Sequence, residues 1–204
     1  MIAVNWIVGP LVRGLSNGAL MFGLGYLGGN LTVALVLGAV GLALGLVHGF
    51  SMAYGHAYDF GNGGCWVKFI LDNTWSVVNS LAGSLYQLVN LIIINPITQT
   101  GAGTGTVVHR RGVLPGYATT IGQVIASDDP GVQDHERLHV LQARIFGPLY
   151  IPLVMASYVI GTILPYWLLF HNHQRWPITG FGTYFINGVY PHAWNEEWAY
   201  RVYP

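Results

Sequence analysis

The chain has 204 residues, of which 8% are charged and 52% are hydrophobic, and its mean hydropathy is +0.47. Soluble domains carry about 25% charged residues, so this composition excludes a freely soluble, well-hydrated monomer. The eight basic and eight acidic residues cancel, which leaves no basic face for nucleic acid. The single cysteine, Cys65, excludes an internal disulfide and a multi-cysteine zinc site. The composition therefore indicates a membrane protein that contacts the lipid bilayer.

The first 60 residues are predicted to be a membrane-anchoring segment. Residues 31–50 form an apolar run whose length matches the hydrocarbon core of about 30 Å, and they predict a transmembrane helix. Residues 14–29 are apolar but interrupted by Ser16, Asn17 and several glycines, which fits a short second helix, a re-entrant segment or an interfacial lead-in. The apolar part of a cleavable signal peptide is only about 7–15 residues long, so we do not expect one here.

Three glycines, Gly41, Gly45 and Gly49, recur at every fourth position of the predicted transmembrane helix. At helical spacing they form one stripe without side chains, and such stripes allow a second membrane helix to approach closely. We expect this face to contact other membrane subunits. A formal G-x-G-x-x-G at residues 23–28 does not indicate a dinucleotide site, because no strand precedes it and no suitably spaced acidic residue follows it.

Residues 61–204 are predicted to form a compact, membrane-associated α+β domain with interfacial helices. Residues 74–94 combine apolar and polar side chains at helical spacing, which predicts an amphipathic helix lying along the membrane surface. Residues 105–126 contain two runs rich in β-branched side chains, separated by a Leu-Pro-Gly turn at 114–116, and predict a β-hairpin. The expected fold class is therefore an α-rich membrane protein with a small β-hairpin.

The helix predicted over residues 131–146 contains the motif H-E-x-x-H, formed by His135, Glu136 and His139. Histidines four residues apart lie on one face of a helix, about 6 Å apart, and two neutral imidazoles can bind one Zn²⁺ together. Glu136 lies within reach of a water molecule at that metal and can accept its proton. The motif therefore predicts a zinc site with Glu136 as the catalytic base.

A catalytic zinc of this kind needs a third protein ligand. The only other glutamates of the chain, Glu196 and Glu197, lie in the C-terminal segment, and His192 precedes them. The residues alone leave all three side chains open as the third ligand. Tyr200 or His192 could donate a hydrogen bond to a developing oxyanion.

Four short motifs follow one another along the chain: Ala118-Thr-Thr-Ile-Gly-Gln-Val-Ile125, His135-Glu-Arg-Leu-His-Val-Leu-Gln142, Gly147-Pro-Leu-Tyr150 and Asn195-Glu-Glu-Trp-Ala199. In this order they resemble a poorly characterised bacterial family of predicted membrane-associated zincins. The resemblance covers residues 68–204 and implies a zincin-like fold, a zinc ion and Glu196 as the third ligand. Gln123 stands where the family pattern has a histidine, and the proline and phenylalanine expected before Glu196 are missing.

Residues 148–170 form a second uncharged, apolar run. As a single helix this run would cross the bilayer and place Glu196 on the opposite side from His135. Pro152, Gly161 and Pro165 can instead break the run into a hairpin that enters the membrane and returns. The family resemblance favours the hairpin, because a hairpin keeps Glu196 on the same side of the membrane as His135.

These features predict a bacterial membrane-associated zinc metallopeptidase that hydrolyses peptides with a metal-activated water molecule. The alternative is a non-catalytic structural or accessory subunit of a larger membrane complex that retains the metal site or its relic. A third hypothesis is a metal-storage or metal-sensing protein. Arg13, Lys68 and Arg175 show no charge asymmetry that would orient the chain in the membrane.

Overall fold

The computed structural model describes residues 4–114 and 116–203, which divide into two compact units between residues 148 and 149. The helices of the first unit are α1 (Gly9–Leu27), α2 (Leu31–Tyr54), α3 (Gly63–Asn73), α4 (Val77–Ile92) and α5 (Gln133–Phe146). Its strands are β1 (Ile97–Thr98), β2 (Val107–His109), β3 (Thr119–Ile121) and β4 (Val124–Ala126). The second unit contains α6 (Tyr150–Ile163) and α7 (Trp194–Val202). Short 3₁₀, π or single helical turns cover Val4–Val8, Gln99–Gly101, Gly147–Leu149, Tyr166–Leu169, Phe181–Thr183, Tyr184–Val189 and Tyr190–His192. The prediction of a helix-rich chain with a small β element is confirmed.

Three helical stretches among the described residues are long and apolar enough to cross a membrane: Val4–Leu27, Leu31–Tyr54 and Gln133–Ile163. The sequence predicted the second of these as a transmembrane helix and left three alternatives for the first. Many outward-facing side chains of α2 are leucine or valine, and Leu35 and Val36 are each 58% exposed. Such a surface suits hydrocarbon better than water, which is consistent with membrane association.

Helices α1 and α2 pack against each other along the predicted glycine stripe. A Cβ atom added to Gly45 would lie 2.5 Å from the carbonyl oxygen of Arg13, and one added to Gly49 would lie 2.4 Å from Cα of Pro10. Only glycine permits so close an approach of two backbones. The stripe that the sequence assigned to other subunits is therefore occupied by α1 of the same chain, because periodicity marks a packing face without identifying what covers it.

Gly45→Ala is expected to destabilise the α1–α2 pair by about 1–3 kcal/mol, because the new methyl group overlaps the backbone of α1. Gly23→Ala is the matched control, since a Cβ atom at Gly23 meets nothing within 4 Å and alanine favours a helix. Denaturant titration in detergent, followed by tryptophan fluorescence, compares the two variants. Equal stabilities would contradict close packing at Gly45.

Helix α4 has the predicted amphipathic pattern, but its polar face is buried and its apolar face is exposed. Its polar stripe is buried: the Asn17 amide donates to Ser84 Oγ at 2.8 Å, and the Gln87 amide donates to Ser51 Oγ at 2.9 Å. Its apolar side chains point outward, and Leu85 is 51% exposed. A helix lying on the membrane surface would turn its polar face to water. The structure therefore shows that α4 directs its polar face into the first unit, the reverse of the orientation expected for a helix on a membrane surface.

The four strands form one sheet in the order β1-β2-β4-β3. Strands β3 and β4 pair antiparallel on either side of Gly122, whereas β2 and β4 pair in parallel, with Val108 opposite Ile125. The single hairpin predicted over residues 105–126 is thereby corrected. Its second half folds back on itself at Gly122, where φ is +59° and glycine is favoured.

The sheet supports α5 through a small apolar cluster. Val108 of β2, Ile125 of β4 and Val140 of α5 are fully buried and pack together. Burying three branched side chains contributes several kcal/mol of hydrophobic stabilisation, at about 1.5–3 kcal/mol each. This cluster fixes the face of α5 that lies against the sheet.

In the second unit α6 ends at Ile163. The next residue, Leu164, precedes Pro165 and leaves the helical region with φ −117° and ψ 88°, as expected for a residue before proline. The apolar run of residues 148–170 therefore does not continue as one helix to its end.

After this break the chain returns along α6. The Tyr184 hydroxyl donates to the carbonyl oxygen of Thr162 at 2.9 Å, and the backbone N–H of Trp194 donates to Ser157 Oγ at 3.0 Å. The indole of Trp167 is fully buried between these segments and donates to the carbonyl oxygen of Gly161 at 2.8 Å. These bonds place the start of α7 beside the middle of α6.

Candidate metal centre

The three residues of the H-E-x-x-H motif lie in the first two turns of α5. The ring centres of His135 and His139 are 5.0 Å apart, and the ring planes are nearly perpendicular. Two imidazoles bound to one tetrahedral Zn²⁺ have ring centres about 5 Å apart. His139 and Glu136 are each 6% exposed, and His135 is half-buried. The helix thus holds both imidazoles at the spacing of a shared metal ion.

Gln142 sets the orientation of His139. Its side-chain oxygen lies 3.0 Å from Nδ1 of His139. Because an amide oxygen can only accept, Nδ1 carries the proton, and Nε2 is the nitrogen with a lone pair for a metal. Metal-binding histidines usually donate their second ring N–H to such a partner. No role was predicted for Gln142, although its position three residues after His139 places it on the same helical face.

Thr120 of β3 holds the carboxylate of Glu136. Its hydroxyl donates to Oε2 of Glu136 at 2.6 Å. The bond fixes one carboxylate oxygen, so the orientation of the base depends on the strand beside α5. No role was predicted for Thr120 either, since no local pattern connects a strand residue to a helix residue 16 positions later.

His135, His139 and Glu196 form a cluster that could hold a metal ion. Each offers one ligand atom, and these atoms lie within 4.8 Å of one another. Ligand atoms around a tetrahedral Zn²⁺ are about 3.4 Å apart, so the three atoms lie somewhat further apart than, but close to, the spacing in a loaded site. Glu196 lies in the first turn of α7, is 5% exposed, and accepts a hydrogen bond from the Asn195 amide at 3.1 Å. Two imidazoles and a carboxylate are donors that Zn²⁺ accepts, so the residues fit the ion.

The other two residues considered as the third ligand make different contacts. Glu197 forms an ion pair with Arg201, one turn further along α7. The ring of His192 stacks on Phe170, with centres 5.3 Å apart. Tyr200, considered as an oxyanion donor, has its ring centre 6.3 Å from that of Trp176.

The C-terminal end of α5 is bound by side chains from the start of α4. The Ser76 hydroxyl donates to the carbonyl oxygen of Ala143 at 3.0 Å, and the Asn79 amide donates to that of Gly147 at 2.7 Å. The last carbonyl groups of a helix have few partners within the helix, and these side-chain bonds add to the backbone bond from the Gly147 N–H to Ala143. They also fix the position of α5 along its axis.

A buried ion pair anchors the same helix. Arg144 donates to both carboxylate oxygens of Asp72, at 2.8 and 2.7 Å. The Tyr58 hydroxyl and the Gln123 amide donate to the same carboxylate at 2.6 and 3.1 Å, and Arg13 donates to Gln123 Oε1 at 3.2 Å. Burial and the Asp72 carboxylate raise the pKa of Tyr58, which keeps its donating proton in place. Gln123, which departs from the family pattern, is therefore part of the support of α5.

Comparison of the chain with models of protein families, with curated proteins and with solved structures finds no match. The resemblance to a zincin family therefore stays a prediction. The function is therefore inferred from the chemistry of the histidine–glutamate cluster and from the apolar helices.

Gln142→Ala is expected to weaken Zn²⁺ binding by about 10–100-fold, because His139 loses the partner that orients its ring. Competition with a chromophoric chelator measures the affinity. Gln142→Glu is the matched control, since its carboxylate still accepts the bond from Nδ1. An unchanged affinity in Gln142→Ala would show that Gln142 does not orient the ligand.

Proposed function

We propose that the chain is a membrane-associated zinc metallopeptidase. The observation that carries this proposal is the cluster of His135, His139 and Glu196, whose ligand atoms lie within 4.8 Å of one another. Glu136, on the same helix, supplies a buried carboxylate next to the cluster's first histidine. A metal bound by two histidines and a glutamate with an adjacent catalytic glutamate is the donor set of a hydrolytic zinc site.

When bound at this site, Zn²⁺ would lower the pKa of a coordinated water molecule and polarise the substrate carbonyl group. The Glu136 carboxylate would accept a proton from the attacking water molecule as the water oxygen bonds to the carbonyl carbon. Glu136 then passes the proton to the leaving nitrogen as the C–N bond breaks, which yields one carboxylic acid and one amine. The hydrogen bond from the Thr120 hydroxyl to Oε2 orients the Glu136 carboxylate.

The substrate we propose is a peptide segment close to a membrane surface. The motif lies at the polar beginning of the stretch Gln133–Ile163, one of the three stretches able to cross a bilayer. A side chain at the end of a membrane-crossing stretch lies near the lipid headgroups, where water is present. Hydrolysis requires that water.

The full-length chain, purified in detergent, tests the proposal. The variant with His135→Ala and His139→Ala is expected to contain about one equivalent less Zn²⁺ than the wild type and to lose hydrolysis of a peptide library. His56→Asn is the control, because His56 is exposed and asparagine tolerates its positive φ of 50°. Unchanged zinc content in the double variant would refute the metal site. Bound zinc without hydrolysis of any peptide would favour the accessory-subunit alternative.

A further inference from the structure

The outward face of α4 is apolar along its whole length. Its exposed side chains are Leu85, Leu88, Val89, Leu91 and Ile92, and two further isoleucines, Ile93 and Ile94, are exposed directly after the helix. Ile92 is 70% exposed and Ile94 is 81% exposed. A helix at the surface of a soluble domain turns such a face inward and its polar face to water. The reverse arrangement of α4 is favourable where its outer face meets hydrocarbon and not water.

Hydrogen bonds join the middle of α4 to the two long helices of the first unit. Ser84 Oγ accepts a bond from the Asn17 amide of α1 at 2.8 Å and lies 2.9 Å from Nδ1 of His48 on α2. The Gln87 amide donates to Ser51 of α2 at 2.9 Å. Both long helices belong to stretches able to cross a membrane. In a bilayer crossed by these stretches, α4 lies at the depth of their buried polar residues, and its outward face meets lipid.

Two arginines lie beside the end of α4. The Arg111 guanidinium donates to the carbonyl oxygen of Ile94 at 3.4 Å, and its backbone N–H donates to Oδ1 of Asn95 at 3.1 Å. The backbone N–H of Arg110 donates to the carbonyl oxygen of Pro96 at 2.9 Å. Both arginines are exposed. The fold therefore places two positive charges next to the exposed isoleucines.

The charges of Arg110 and Arg111 are not paired with a carboxylate. Asp128 and Asp129 follow β4 at the same end of the sheet, but no ion pair links either of them to these arginines in the part of the chain that the structure describes. Guanidinium groups bind phosphate through two parallel N–H···O bonds. An arginine at the end of an apolar surface reaches the level of the lipid phosphates. Charge and position therefore fit the phosphate group of a phospholipid.

We propose that Arg110 and Arg111 bind the phosphate group of an anionic phospholipid whose acyl chains lie along the apolar face of α4. The two positive charges attract a headgroup with net negative charge, whereas a zwitterionic headgroup also brings a positive choline group. Contact with the acyl chains covers the exposed leucines and isoleucines. The lipid would thereby anchor the end of α4 at the membrane surface.

Lipid binding by the full-length chain in detergent tests this site. Dioleoylphosphatidylglycerol and dioleoylphosphatidylcholine are titrated separately, and native mass spectrometry counts the bound lipids. The wild type is expected to bind the phosphatidylglycerol more tightly. Arg110→Gln with Arg111→Gln should weaken that binding about 25-fold, because each arginine near an anionic lipid surface contributes about fivefold.

Arg137→Gln with Arg201→Gln is the matched control, since it removes the same charge from two arginines that already pair with Asp134 and Glu197. It should leave the affinity for phosphatidylglycerol unchanged. Equal affinities of the wild type for the two lipids would overturn the site, and so would an equal loss of affinity in the control. None of these variants alters a metal ligand, so the outcome is independent of the proposed peptidase activity.

A nitroxide label at Ile92→Cys, in a chain with Cys65→Ala, tests the apolar face in nanodiscs of the two lipids. In power-saturation measurements the label should be more accessible to oxygen, which dissolves in hydrocarbon, than to a water-soluble nickel complex. A label at Asp59→Cys, another exposed position, should show the opposite order. Greater access of the nickel complex to the label at residue 92 would place the face in water. Exclusion of both reagents would mean that protein covers the face, and either result would overturn the proposal.

Discussion

Glu136→Gln is expected to reduce peptide hydrolysis by about 10²–10⁴-fold while leaving the bound Zn²⁺ in place. Glutamine has nearly the same shape as glutamate, and its side-chain oxygen can still accept the hydrogen bond from Thr120. An amide cannot take up the proton of the attacking water, however, so only the chemical step is lost. Turnover of a peptide library and zinc content, measured on the same preparation, separate these two effects.

The control for this variant is Glu197→Gln. Glu197 is also a glutamate of the C-terminal half, but it forms an ion pair with Arg201 and is not part of the metal cluster. We expect wild-type hydrolysis and wild-type zinc content for it. If Glu136→Gln hydrolysed peptides as fast as the wild type, Glu136 could not be the base, and the peptidase proposal would lose its catalytic step.

The elements that follow from local periodicity were predictable from the sequence. The apolar run at residues 31–50 corresponds to α2, which extends to Tyr54, and the motif helix predicted over residues 131–146 corresponds to α5. The spacing of His135 and His139 on one helical face is likewise local, because a helix fixes the relation between residues i and i+4. Such features need no information about the rest of the chain.

The features that depend on tertiary contacts were not predictable in this way. The pattern of α4 indicates two faces, but whether the polar face meets water or a polar interior is decided by Asn17 and Ser51 on other helices. The glycine stripe of α2 indicates close packing, but α1 is identified only by the fold. The parallel pairing of β2 with β4 depends on a reversal at Gly122, which lacks a strong two-residue turn signal.

The candidate site also combines residues that local sequence predicts with residues that only the tertiary fold brings together. The motif supplies two ligands and a base, whereas Glu196 depends on how the chain folds after residue 148. The sequence therefore left Glu196, Glu197 and His192 open, and only the resemblance selected among them. Thr120, which orients the base, is recognisable only once β3 lies beside α5, whereas the place of Gln142 three residues after His139 is a local signal that the sequence contains.

Asp72→Ala is expected to lower the free energy of unfolding by about 3–5 kcal/mol, the largest stability change we predict for a single side chain. Asp72 is fully buried and Arg144 is only 8% exposed. Removing the carboxylate leaves the guanidinium group of Arg144 buried without a counter-charge, and it also removes the acceptor for Tyr58 and Gln123. Denaturant titration in detergent, with tryptophan fluorescence as the signal, measures the change.

The matched control is Asp134→Ala, which breaks the exposed ion pair between Asp134 and Arg137 on the same helix as Arg144. Exposed ion pairs contribute about 0–1 kcal/mol to the free energy of unfolding, so Asp134→Ala should change the stability very little. Replacing both partners, by Asp72→Leu with Arg144→Met, should destabilise less than Asp72→Ala alone, because no unpaired charge remains buried. A double variant as unstable as Asp72→Ala would mean that the hydrogen bonds to Tyr58 and Gln123, and not the charge of Arg144, hold α5 in position.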